Sequence, residues 1–146
     1  MAIVIVGMLD EREAVLSLIK EQIEKRKHKT ILVDISIGTG AIVSSLKPDV
    51  TGSELAKLAG RTIEEIRGMP TKERETATSL MAEGLTKKVI ELYTKGELQG
   101  ILAIAGMTGT FLSLTAMKAL PFGVPKLLIS SVAAMPAYAN RFAEYF

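Results

Sequence analysis

Residues Ala2 to Val6 form an unbroken apolar run, mostly β-branched, with no polar alternation, and it ends at Gly7. A run of that kind suits a strand covered on both faces of a parallel sheet. Three further short runs have the same texture: Thr30 to Ile35, which carries Asp34, Gly100 to Ala105, and Lys126 to Ser130. Between the first two, Val15, Leu18, Ile19 and Ile23 recur at helical spacing, while Arg12, Lys20, Glu21, Glu24 and Lys27 fall mainly elsewhere on the wheel. The expectation is an amphipathic helix from Glu11 to Lys27 with Asp10 as its N-cap. Strand, helix and strand make a βαβ unit with a right-handed crossover, so the fold class is α/β with an open, mainly parallel sheet.

Residues 36 to 70 are punctuated by Gly38, Gly40, Gly52, Gly60, Gly68, Pro48 and Pro70. Thr51-Gly-Ser-Glu54 and Thr62-Ile-Glu-Glu65 each place a hydroxyl three residues before a carboxylate, which is capping-box spacing for two short helices. From about Thr71 to Lys95 the positions Ala77, Leu80, Met81, Gly84, Leu85, Val89 and Leu92 hold one helical face, and Gly96 stops it. A helix from about Thr110 to Leu120 follows the third strand, and Pro121 and Pro125 bracket a tight loop before the fourth. The segment from Ser131 to Phe146 is Ala/Tyr-rich with little charge, and Phe142, Tyr145 and Phe146 would expose aromatic surface unless they dock on a partner. That ending predicts a homodimer.

With 146 residues the chain has the length of one globular domain. Its 18 basic and 16 acidic residues are interspersed, and a formal charge of +2 without a basic stripe argues against a nucleic-acid binder. The lack of Cys and the single His28, set among Lys and Arg at a helix end, leave carboxylate, hydroxyl, Lys/Arg and backbone chemistry, with no metal site proposed. Leu98 to Met117 is uncharged over roughly 20 residues, long enough to span a bilayer. Its Gln, glycines and hydroxyls, and a change of pattern at Gly106, fit strand, turn and helix instead. Met1 to Met8 has no basic n-region and too short an apolar run for a signal peptide, so a cytoplasmic location is expected.

Ligands of an open parallel sheet bind at the carboxyl ends of its strands. Asp10 follows the first such end, Asp34 with the Gly38-Thr-Gly40 loop the second, Gly106-Met-Thr-Gly-Thr110 the third, and Ser130 with Ser131 the fourth. Two of the three Asp in the chain are therefore at these ends. In Gly106-Met-Thr-Gly-Thr110, backbone amides and a helix N-terminus can face a phosphate while hydroxyls add donors. It lacks the Lys of a Walker A loop and the spacing of a dinucleotide fingerprint. The same residues also fit a tight turn capped by Thr108. Asp10 is either a cap or a group that orients a ligand or a magnesium ion accompanying phosphates. Asp34 is either a ribose partner or a carboxylate bonded to loop amides, and Gly38 is either part of a simple turn or a ligand contact. Arg74, at the start of the long helix, reads more as a solvated charge than as a phosphate clamp.

The stretch Gly100-Ile-Leu-Ala-Ile-Ala-Gly-Met-Thr-Gly-Thr110, followed by Ala116-Met-Lys-Ala-Leu-Pro-Phe-Gly-Val-Pro-Lys126 and Ser130-Ser131, resembles the ATP-binding N-terminal domain of a bacterial and archaeal family related to the tobamovirus-resistance protein of tomato. Gly7-Met-Leu-Asp10, Val33-Asp34, Ala59-Gly60, and Arg74 with Met81-Ala-Glu-Gly84 extend the likeness along nearly the whole chain. The resemblance implies a Rossmann-like three-layer αβα domain spanning residues 1–146, as a fragment or short form of a longer architecture. It implies ATP, with or without magnesium, bound by Asp10 in the first loop, by Gly106, Thr108, Gly109 and Thr110 in a phosphate loop, and by Ser130 and Ser131 in the last. A TIM-barrel-like second domain or subunit is the implied partner. The family's Asp-Thr-Lys reads Asp10-Glu11-Arg12 here, and Ala105 and Met107 replace loop glycines. Magnesium-dependent phosphoryl transfer or hydrolysis, and a degenerate structural or oligomerisation domain, are the alternative functions.

Overall fold

The computed structural model describes residues 1–38 and 44–143. Thr39 and Gly40 of the second glycine loop lie outside the described residues, as do Tyr145, Phe146 and the side chain of Phe142 at the aromatic end. Four strands, β1 (Ala2–Gly7), β2 (Lys29–Asp34), β3 (Leu98–Ala105) and β4 (Lys126–Ser130), form one all-parallel sheet in the order β2-β1-β3-β4. The helices are α1 (Leu9–Lys25), α2 (Gly52–Leu58), α3 (Ile63–Arg67), α4 (Arg74–Thr94), α5 (Met107–Ala119) and α6 (Pro136–Ala143), with a 3-10 turn at Thr71–Glu73 ahead of α4. The α/β, three-layer class is therefore as expected. Leu98 to Met117 divides into β3, Gly106 and most of α5, and no helix among the described residues is long and apolar enough to cross a membrane.

The chain leaves β1 for β2 in one direction and β3 for β4 in the other. Right-handed crossovers then put α1 on one face and α5 on the opposite face. The larger core lies on the α5 side, where Val4, Val6, Val33, Ile101 and Ala103 of the sheet meet Leu55, Met81, Leu85 and Leu112. The smaller core, under α1, joins Leu9 and Leu16 to Ile5, Leu32 and Ile104. Both short helices start where the hydroxyl spacing placed them, because the Thr51 and Thr62 side chains accept hydrogen bonds from the amides of Glu54 and Glu65 at 3.2 Å. Gly96 follows α4 with φ 74°, the left-handed conformation that ends a helix.

Helix α1 departs from expectation in two ways. It begins at Leu9, so Asp10 lies inside the first turn and does not cap it. The cap is supplied from β2: the Leu9 amide donates to Asp34 Oδ1 (3.2 Å) and the Asp10 amide to Ser36 Oγ (3.3 Å). Its buried stripe is also rotated. Leu16 is fully buried while Val15 and Leu18 are exposed, because Gly7 lacks a Cβ and the Leu16 methyls occupy the space one would need, 2.7 Å away. Helix α5 likewise begins three residues earlier than expected, at Met107, with Gly106 as an extended N-cap and no capping side chain, so Thr108 is not the cap.

Two substitutions test these packing arguments. An ideal Cβ on Gly84 of α4 would lie 2.0 Å from the Leu55 carbonyl oxygen of α2. Helix propensity alone would stabilise Gly84→Ala by about 1 kcal/mol. The clash forces the helices apart at a cost of about 1–3 kcal/mol or more, so the urea midpoint should fall, and a rise would refute the close approach. Asp34 Oδ1 accepts from the Leu9 amide, the Ser36 amide (2.9 Å) and the Ser36 hydroxyl (2.6 Å). Asp34→Ala leaves partly buried donors without their acceptor, and the expected loss in urea unfolding is about 1–3 kcal/mol.

Candidate functional site

Sheet order reverses between β1 and β3, and the loops leaving their carboxyl ends separate around a cleft of about 360 Å³. Met8, Asp10 and Glu11 line one side and residues 106–109 the other. Gly38 closes the β2 end, and Arg67, Thr71, Arg74 and Thr78 arrive from the α3 to α4 connection. Five predicted site residues meet here: Asp10, Gly38, Gly106, Thr108 and Gly109.

The other four are placed elsewhere. Asp34 sits behind the cleft wall, its Oδ1 occupied by Leu9 and Ser36, which matches the carboxylate bonded to loop amides. Thr110 is fully buried. Its hydroxyl bonds to the Gly106 carbonyl (2.5 Å) and to Ser130 Oγ (2.6 Å), which in turn accepts from the Val132 amide (3.2 Å). Thr110 and Ser130 thus tie the end of β4 to the first turn of α5. Ser131 is exposed and donates its amide to Ala105 (3.3 Å).

The two helix ends that face the cleft are electrostatically unlike. The α1 end is capped by Asp34 and Ser36 and carries Asp10 and Glu11 in its first turn. Asp10 Oδ1 lies 3.0 Å from the Ser36 hydroxyl, whose single proton it shares with the nearer Asp34 Oδ1 at 2.6 Å. Among the described residues no side chain caps the α5 end, and its first turn holds no acidic residue. Its first amides therefore lack intrahelical acceptors and carry the positive end of the helix dipole. Among the described residues a Cβ on Gly106 would meet the Arg12 guanidinium alone, at 3.1 Å, so this end opens onto a cation instead of onto packed backbone. Gly109 is different in kind. Its Cβ position lies 3.0 Å from the Ala105 Cβ and 3.5 Å from Ile35, so this glycine seats α5 on the sheet.

Arg67 and Arg74 line the cleft together with Asp10 and Glu11, and an Arg12 guanidinium nitrogen lies 3.1 Å from where a Cβ on Gly106 would stand. From sequence Arg74 reads as a solvated charge, and Arg67 and Thr78 carry no mark of a site. Their only signal was a position in the crossover that must pass the switch point. Among the described residues no three His, Cys, Asp or Glu are grouped to hold a metal ion. Farther along α1, Ser45 donates its hydroxyl and its amide (3.1 Å) to Glu13, and these bonds hold the Glu13 carboxyl below the usual carboxylate range.

The N-terminal domain of the uncharacterised protein family UPF0261 matches residues 1–141. The UPF0261 protein of Clostridium tetani is 32% identical over 131 residues, which is 90% of this chain and 31% of that protein. The UPF0261 proteins of Brucella suis and Brucella melitensis are each 30% identical over 131 residues, again 90% of this chain and 30% of theirs. The chain spans about three tenths of the length of these curated relatives. The sheet whose strand ends surround the cleft lies wholly within the matched residues, and the chain belongs to the UPF0261 family.

Proposed function

We propose that the chain is an ATP-binding module whose cleft holds the phosphates against the N-terminus of α5. The observation that carries this reading is the contrast between the two helix ends: one is capped and acidic, while the other is uncapped, free of acid and flanked by Arg12. An anion gains from the open amides and the dipole only at the second. Gly106 allows close backbone approach, Thr108 adds a hydroxyl, and Arg74 and Arg67 reach the same space from above. The likeness of residues 100–131 to the ATP-binding domain related to the tomato resistance protein supports the choice of ATP among phosphate ligands.

Asp10, which lines the cleft, is the carboxylate that would meet a magnesium ion carried by the phosphates. With no group of three metal-ligating side chains among the described residues, most of that ion's ligands would be phosphate and water oxygens. Asp34, Thr110 and Ser130 act in this reading by positioning the walls, and Gly109 by seating α5. The same reading places the module in the cytoplasm, in a homodimeric assembly, with a TIM-barrel-like domain as the partner that uses the bound nucleotide.

Calorimetry with ATP, with and without magnesium, tests the proposal. The wild type should bind. Gly106→Val, which the extended backbone at this position accommodates, should weaken binding at least about tenfold while costing no more stability than loss of an N-cap glycine, about 1 kcal/mol. Arg74→Ala, on an exposed residue, should cost about tenfold through a lost charge-assisted bond. No binding by folded wild type, or full binding by Gly106→Val, overturns the reading.

A further inference from the structure

The sheet is roofed unevenly on the α1 side. Leu32, Ile5, Leu102 and Leu127 stand in register as one row across all four strands. Leu32 and Ile5 are fully buried under α1, Leu102 is half-buried, and Leu127 is 52% exposed. The next row repeats the step, from buried Ile104 to Ile129 at 47%. A shallow groove of about 290 Å³ runs beside Leu102 and Leu127.

The two edges of the sheet are also unlike. On β2 the outer edge is closed by residues 49–50: Asp34 donates to the Val50 carbonyl (2.9 Å), and Val50 to the Leu32 carbonyl (3.0 Å). On β4 the outer edge has no backbone partner among the described residues. It holds no proline, and its one charge, Lys126, turns back to the Pro121 and Val124 carbonyls at 2.9 and 3.2 Å. Free edges of soluble sheets are ordinarily blunted by such devices.

We infer that this edge and face are a docking surface for a strand and an amphipathic segment of the polypeptide that follows the matched region in full-length UPF0261 proteins. The strand pairs in parallel with β4, and the amphipathic segment covers Leu102, Leu127 and Ile129. The position of α6 points to this occupant. After β4 the chain crosses to the α5 side, where Val132 and Tyr138 pack on Leu114 and Phe111, the two rings edge-to-face at 6.5 Å. A right-handed crossover on that face delivers the next strand outside β4. The relatives carry about seven tenths of their length beyond what this chain spans, ample for such a unit.

The test fuses the chain to the following region of the Clostridium tetani protein and compares backbone hydrogen exchange with that of the chain alone. Amides of β4 that face away from β3 should exchange at least about tenfold more slowly in the fusion, as sheet pairing closes them. Leu127→Glu with Ile129→Glu, at exposed positions, should restore fast exchange without lowering the melting temperature of the isolated chain. Equal rates in fusion and isolated chain overturn the inference, and so does slow exchange that the double variant leaves unchanged. A dimer of the isolated chain that the double variant dissociates assigns the face to a second copy and also overturns it. If the fusion does not fold, the full-length Clostridium tetani protein decides: the strand aligned with β4 must be protected on both edges, and fast exchange there sinks the inference.

Discussion

The handedness of the crossovers is the constraint on which the molecule depends. A right-twisted strand that feeds a right-handed helix packs back on its sheet in one sense only. In the order β2-β1-β3-β4 that sense sends the chain to opposite faces from the two central strands. Three consequences follow together: helices on both sides, two separate cores, and a gap where the loops after β1 and β3 diverge. The cleft is thus a product of topology, and the side chains that line it only determine what it can hold.

Close approach without side chains is the second device. Gly7 admits Leu16, Gly84 lets α4 rest on the Leu55 carbonyl, and Gly109 brings α5 onto Ala105. Each glycine removes a Cβ where two elements would otherwise be held apart, and each fixes the height or rotation of a helix over its neighbour. In the cleft the result is an asymmetry of charge. The α1 terminus spends its dipole on Asp34 and its own acids, whereas the α5 terminus is left open toward Arg12.

Much of this was legible in the residues. The four apolar runs became the four strands, the two Thr caps lie where their spacing put them, and the strand-end rule gathered Asp10, Gly38, Gly106, Thr108 and Gly109 around one space. The errors share one cause. Asp10 has the residue type of a cap, but Asp34 and Ser36, about 25 residues away in sequence, had already satisfied the amides concerned. Val15 and Leu18 have the spacing of a buried stripe, yet the missing Cβ of Gly7 rotated the helix toward Leu16. Thr110 and Ser130 have the chemistry of phosphate donors, and the fold brings their two hydroxyls together, 2.6 Å apart, a pairing that no local pattern shows.

By itself the sequence determined the strands, the helices and the loops that could carry a ligand, because periodicity, caps and breakers act over three or four residues. Only the tertiary structure decided which carboxylate is occupied, which glycine is a contact and which is open, that Arg67 and Arg74 line the cleft, and which edge of the sheet is left bare. Those outcomes depend on pairings between residues far apart in the chain, and no local pattern encodes which partner reaches a group first.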